Sequence, residues 1–356
     1  MAKADWESRM TDQRTAKNAD QTEFLAVKFG SSALDEGVRD DLTAETLREL
    51  DDFGPLNETY VASWAVTDSK VDDAVGSLAD EIERRASLMG DAYPFVKDGN
   101  TLTYRRSCSL AYEMCLAICN APSIVEKPYN ALPPAFERLC RDVVTCFLGG
   151  GATSLRTGWP IDGEPERTAK FKSVVDKIHA ATQEWVWRPG PGMPADPSHK
   201  DVKDLGIDFA VWKLLPDKRK GVLFLLGQCA CGDDWTDKFS DLDITAIEAD
   251  WFGYFSVATP MRLFCVPRHI PNATYFDEVN RKAGLTLDRA RIVMIAEVEA
   301  NRAAISAGSP TPFADLVKLV VDGFEAAPPA PARQPRTAAA APRSRSRGRV
   351  ARRTRP

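Results

Sequence analysis

A chain of 356 residues, 44% hydrophobic and 27% charged, has the balance of a globular protein of about two domains. No stretch approaches the ~20 apolar residues of a membrane span, and Met1–Arg14 is polar with no signal-peptide core, so a cytoplasmic protein without a membrane partner is expected. The net charge of −5 hides an asymmetry: nine Arg and no acid follow Ala326, and taking those nine charges from −5 leaves −14 on the rest, which excludes a generally nucleic-acid-coating surface.

Residues 1–22 are polar and read as a disordered N-terminus. Residues 23–125 read as a helical N-terminal region. Within it, Val71, Val75, Leu78, Ile82 and Leu88/Met89 recur at helical spacing behind Asp68 as a cap, with a stop near Gly90. A second apolar helix is expected over Tyr104–Asn120.

From 131 to 325 the pattern changes to α/β. Pro133-Pro134 opens a helix whose stripe is Phe136, Leu139, Cys140, Val143, Val144 and Phe147, stopped by Gly149-Gly150-Gly151. Those glycines lack the Gly-Lys-Ser/Thr ending of a phosphate loop. A helix over about Glu166–Trp185 and a Pro/Gly-rich loop, Arg188–Lys200, follow. Ile207–Leu215 and Val222–Cys231 read as strands around the turn Pro216–Gly221, with Asp233 or Asp234 able to cap a helix after them. Then come a strand at Arg262–Val266, a helix at Tyr275–Ala283, a strand at Ala290–Ala296 and a helix at Pro312–Phe324. The segment 326–356, rich in Pro, Ala, Arg and Ser, reads as a disordered basic tail that would hold nucleic-acid phosphates non-specifically.

The eight cysteines are scattered, without a CxxC pair, and read as reduced thiols. With only three His in the chain, a structural zinc site is not expected. Cys229-Ala-Cys231 places two thiols on one side of a strand without two further ligands, and reads as buried small residues.

Two polar residues interrupt the hairpin. A turn symmetric about Lys218 puts Asp208 opposite Gln228 on one face. An acid facing an amide in a buried hairpin is costly as packing alone and makes sense around a metal or ligand. Mg2+ takes hard oxygen ligands, and Asp208, the Gln228 amide oxygen, the Cys229 carbonyl and Glu137 on the Pro133 helix are candidates. Plainer readings stand beside these: Glu137 as a solvated helix residue, Asp208 as a carboxylate satisfied by backbone donors, Gln228 as an amide bridging strand edges, and Asp204 as a turn residue.

In order, these features are Phe136-Glu137 on a helix, a Gly-rich stop, Gly206-Ile-Asp208, Gly227-Gln228-Cys229 and Gly232-Asp-Asp-Trp-Thr-Asp-Lys238. The stretch from about Ala131 to Ala296 resembles the PD-(D/E)XK restriction-endonuclease-like superfamily, nearest to antiphage-defence nucleases with Gln in the third motif. The resemblance implies a restriction-endonuclease-like core, a mixed central sheet flanked by helices, with a site at one sheet edge. It implies Mg2+ (or Mn2+) as cofactor, DNA as partner and phosphodiester hydrolysis as activity. Glu137 and Asp208 would be the acids, and Gln228 would stand where the family usually has Asp or Glu. The family lysine would fall at Ala230. Lys238 is the substitute, as in relatives whose lysine has migrated, and Lys213 is a weaker one. An alternative is a weak or inactive nuclease-fold subunit of a defence complex. A homodimer that cuts both strands and a regulatory or sensor protein partner fit the same reading.

Overall fold

The computed structural model describes residues 2–35, 38, 58–158, 171–187, 205–307 and 309–324. The segment 326–356, Asp204 and most of the loop after Trp187 lie outside the described residues. The fold is α/β, a mixed five-stranded sheet flanked by helices, with a helical N-terminal region.

The chain opens with helix α1 (Ala2–Phe29). This corrects the expectation of disorder over 1–22. The helix is polar in sequence because its inward face is partly charged: Asp20 and Glu23 are buried and meet buried arginines from distant segments. Strand β1 (Ser31–Ala33), helix α2 (Glu58–Met89), and strands β2 (Phe95–Asp98) and β3 (Thr101–Tyr104) follow. The three strands form a small antiparallel sheet in the order β1-β3-β2. Tyr104 therefore ends a strand, and helix α3 runs only from Ala111 to Asn120.

Arg85 on α2 donates to Glu81 at 2.8 Å, to Asp20 at 2.8 Å and to Glu23 at 2.9 Å. The Tyr93 and Tyr112 hydroxyls donate to Glu23 at 2.6 and 2.7 Å. Buried charges persist only when paired and hydrogen-bonded, and this network satisfies that condition.

Helix α4 (Leu132–Leu148) has prolines in its first turn, where their missing N–H costs nothing, and ends at Gly149 with φ +71°. Then come β4 (Ala152–Arg156), α5 (Phe171–Thr182), β5 (Val186–Trp187), β6 (Phe209–Lys213) and β7 (Leu223–Cys229). A 3-10 turn at Trp235–Lys238 leads to α6 (Ile244–Trp251), β8 (Phe252–Tyr254), β9 (Met261–Cys265), α7 (Ala273–Ala283) and β10 (Leu285–Leu287). Three helices close the described chain: α8 (Arg289–Ala296), α9 (Glu299–Ala307) and α10 (Phe313–Gly323). Residues 290–296 are thus a helix, where a strand was expected. Asp288 caps it by accepting from Arg291 N–H at 3.1 Å, and the short apolar run is buried on most sides, so its period misleads. Asp243, not Asp233 or Asp234, caps α6.

The five-stranded sheet has the order β10-β9-β7-β6-β4. β4, β6 and β7 are antiparallel neighbours, whereas β7, β9 and β10 run parallel. Phe209 pairs with Gly227 and Ala210 with Leu226, the register expected from the turn. Alternation along the strands splits the packing. Phe209, Val211, Leu225, Leu263 and Cys265 share one core with Phe136, Leu139 and Cys140 of α4. Ala210, Trp212, Phe224 and Leu226 join a second core with Val174, Ile178, Trp185 and Phe255. Phe24, Leu78 and Tyr112 belong to the first core too, and residues 1–324 form one compact unit. The regions 23–125 and 131–325 are therefore packed on a shared core.

Candidate functional site

Asp208 sits directly before β6, after a turn in which Leu205 and Gly206 have φ of +56° and +74°. Its backbone is fixed on both sides. Its N–H donates to Gly227 O at 2.8 Å, and its carbonyl accepts from Thr157 and Gly158 N–H at 2.8 and 2.9 Å. Its carboxylate Oδ2 accepts from Cys229 N–H at 2.7 Å. The ladder register ends at the pair Phe209–Gly227; Asp208, one residue beyond it, is bonded to Gly227 and Cys229, and Gln228 stands between those two. Gln228 is only 7% exposed.

Glu137 reaches the same end of the sheet from α4. It is 7% exposed, and its Oε2 accepts from Nε of Arg156 at 2.7 Å, a fully buried arginine at the end of β4. Gly158 joins the two acids. Its N–H holds the Asp208 carbonyl, and a Cβ on it would overlap Glu137 Oε2. The nearby Cys231 thiol records the same clustering: burial pushes its pKa up first, and the charges of Glu137 and Asp208 push it further.

Glu137 and Asp208 are linked through Gly158, and Asp208 is bonded to Cys229, where β4 and β7 end and β6 begins. Cys229 contributes its N–H to Asp208, and its thiol belongs to another group. Carboxylates and an amide oxygen are hard donors of the kind Mg2+ takes, and Glu137, Asp208 and Gln228 are the residues here that could offer them. Arg156 neutralises part of the charge of Glu137 and fixes its rotamer.

Lys238 is placed differently from expectation. It ends the 3-10 turn and does not open an α-helix. Its Nζ lies 3.7 Å from both Asp234 and Asp241, and its side chain is 42% exposed. Its ion pairs are with its own loop, not with Asp208. The loop does border the site, because the Asp241 carbonyl lies 3.1 Å from where a Gly206 Cβ would stand. Lys213 is at the far end of β6, about 16 Å along the strand from Asp208. Its Nζ donates to Leu148 O at 2.6 Å and caps α4, a structural task. Ala230 is buried with Trp235 and Phe264.

The sequence reading missed one grouping. Cys229 meets Cys140 and Cys265, not a second thiol of its own strand, and the three sulfurs lie within 4.8 Å of one another. The signal was the shared inward parity of the two strand positions and the place of Cys140 in the α4 stripe, which only the strand pairing makes readable.

Compared with known proteins, the chain matches no family model, no curated protein and no solved structure.

Proposed function

We propose that the chain is a Mg2+-dependent DNA endonuclease of the restriction-endonuclease-like type, acting in the bacterial cytoplasm in antiphage defence. The observation that carries this reading is the pair of acids Glu137 and Asp208 joined through Gly158, with Gln228 between the two β7 residues, Gly227 and Cys229, that bond Asp208. The mixed sheet flanked by helices supports the same reading.

Glu137, Asp208 and Gln228 would hold the metal through oxygen. When bound, Mg2+ would neutralise charge developing on the phosphate and lower the pKa of the attacking water. The chain's own work is positioning: Cys229 N–H holds the Asp208 carboxylate, and Arg156 and Gly158 hold Glu137. Lys238, on the loop that borders Gly206, is the lysine of this proposal. The arginines of the basic tail would add sequence-independent phosphate contacts. A second copy for the other strand and a regulatory partner that restrains cutting belong to the same proposal.

One observation favours a second reading, that of a catalytically weak or inactive subunit that binds nucleic acid. Ala230 stands where the lysine would be, and Lys238 is held by Asp234 and Asp241. Incubation of the full chain with plasmid and linear DNA, in Mg2+, Mn2+ or EDTA, tests both. Metal-dependent cutting that disappears in Asp208→Ala and Gln228→Ala supports the nuclease. Salt-sensitive DNA binding without cutting in any metal supports the subunit.

A further inference from the structure

We infer that Cys140, Cys229 and Cys265 form a second metal site, one for a soft, thiophilic ion. The inference is independent of the nuclease proposal. The three sulfurs lie within 4.8 Å of one another, and they come from three elements, α4, β7 and β9. Their proximity is built by the scaffold. Cys229 and Cys265 are register partners on adjacent parallel strands, and Cys140 belongs to the α4 stripe that packs on that face. Cys140 and Cys265 are fully buried, and Cys229 is partly so.

The donor chemistry selects the ion class. Thiolates prefer soft ions such as Cu(I) and Zn(II) over Mg2+. Among the described residues, no His, Asp or Glu joins the three thiols. Metal–sulfur bonds of about 2.3 Å place three sulfurs roughly 4 Å apart around a three-coordinate ion, close to the separations of at most 4.8 Å seen here. Three donors without a fourth suit Cu(I) better than tetrahedral Zn(II). On binding, each participating thiol gives its proton to solvent and its sulfur lone pair to the ion. The ion keeps its oxidation state, and no disulfide forms. Cys229 is also the residue whose N–H holds Asp208, so a loaded site would be tied through one residue to the oxygen-lined end of the sheet.

The test uses the full, reduced, metal-free chain under anaerobic conditions. One arm offers Cu(I) held as its bicinchoninate complex, and the other offers Zn(II) with a chromophoric indicator. The expected result is withdrawal of one Cu(I) per chain, with X-ray absorption of the wild-type complex showing sulfur neighbours only. Cys140→Ala and Cys265→Ala should withdraw at least tenfold less, whereas Cys108→Ala, on the surface, should match the wild type. Withdrawal of Zn(II) instead, with the same dependence on the two cysteines, also supports a thiolate site. No withdrawal of either ion, oxygen or nitrogen neighbours in the wild-type spectrum, or unchanged withdrawal by folded Cys140→Ala and Cys265→Ala overturns it. Circular dichroism establishes that each variant is folded, and the wild-type spectrum decides the matter if one is not.

Discussion

The Cys229 amide donates to the Asp208 carboxylate at 2.7 Å, just past the point where the β6–β7 ladder ends. The side chain of one strand thereby takes the place of a backbone carbonyl and extends the pairing by one bond. In the proposed function this carboxylate has two tasks, and they can be separated. Asp208→Asn keeps an oxygen for the Cys229 N–H and removes the charge. We expect it to unfold in urea within about 1 kcal/mol of wild type and to lose metal-dependent cutting. Asp208→Ala also leaves the N–H unsatisfied and should cost about 1–3 kcal/mol. Wild-type cutting rates in Asp208→Asn would remove Asp208 from the metal site.

Gly158 is the contact between the two acids. Adding a methyl group there drives it into Glu137 Oε2, so the glutamate must leave its position while Asp208 keeps its ladder bonds. Gly158→Ala should lower cutting at least tenfold at saturating DNA, with a stability loss of about 1–3 kcal/mol from overpacking. A variant as active as wild type would show that Glu137 does not need its observed place.

The lysines make opposite predictions. Lys213→Met removes the cap on the last carbonyls of α4 and should cost about 0.5–1 kcal/mol with cutting unchanged. Lys238→Ala should leave the thermal midpoint nearly unaltered and abolish cutting. The reverse pattern would move the catalytic amine to Lys213, against the geometry.

The buried network predicts behaviour in acid. Burial opposes ionisation of Asp20, but Arg289 and Arg85 outweigh it and hold its pKa well below the ordinary carboxylate value. Glu184 is similar: burial raises its pKa, and hydrogen bonds from Gly221, Val222 and Val257 N–H and the Ser256 hydroxyl lower it overall. A depressed folded-state pKa adds stability above the unfolded value of about 4, and that stability drains away as pH falls below it. Thermal midpoints should therefore be flat from pH 7 to 5 and fall steeply below about pH 4. Arg85→Met removes one counter-charge from Glu23 and Glu81, which keep Tyr93, Tyr112 and Arg289 and, for Glu81, Arg84, and should cost about 1–3 kcal/mol at pH 7. A loss under 1 kcal/mol would mean that the network contributes little.

What could be read from sequence was local. The turn Pro216–Gly221 and the alternation around it carry the register Phe209–Gly227, which brings Asp208 to the stretch Gly227–Cys229. Two prolines and three glycines bracket α4 to within a residue. What could not be read was pairing at a distance. Helix α1 looks disordered because the partners of its acids are Arg85 and Arg289, whose relevance no local window reveals. The Cys140–Cys229–Cys265 group depends on two strands being neighbours, and the surroundings of Lys238 depend on a loop that turns back on itself. Residues 290–296 were misread because a short helix buried on most sides shows no period.

The bidentate Arg289–Asp20 pair joins residues 269 positions apart. A ribosome makes Asp20 early and Arg289 late. Until then Asp20 and Glu23 share Arg85 as their counter-charge. A truncation before Arg289 keeps the contacts of the first helix with Arg85, Tyr93 and Tyr112 but loses the second counter-charge of Asp20, so that helix docks with its charge network unfinished.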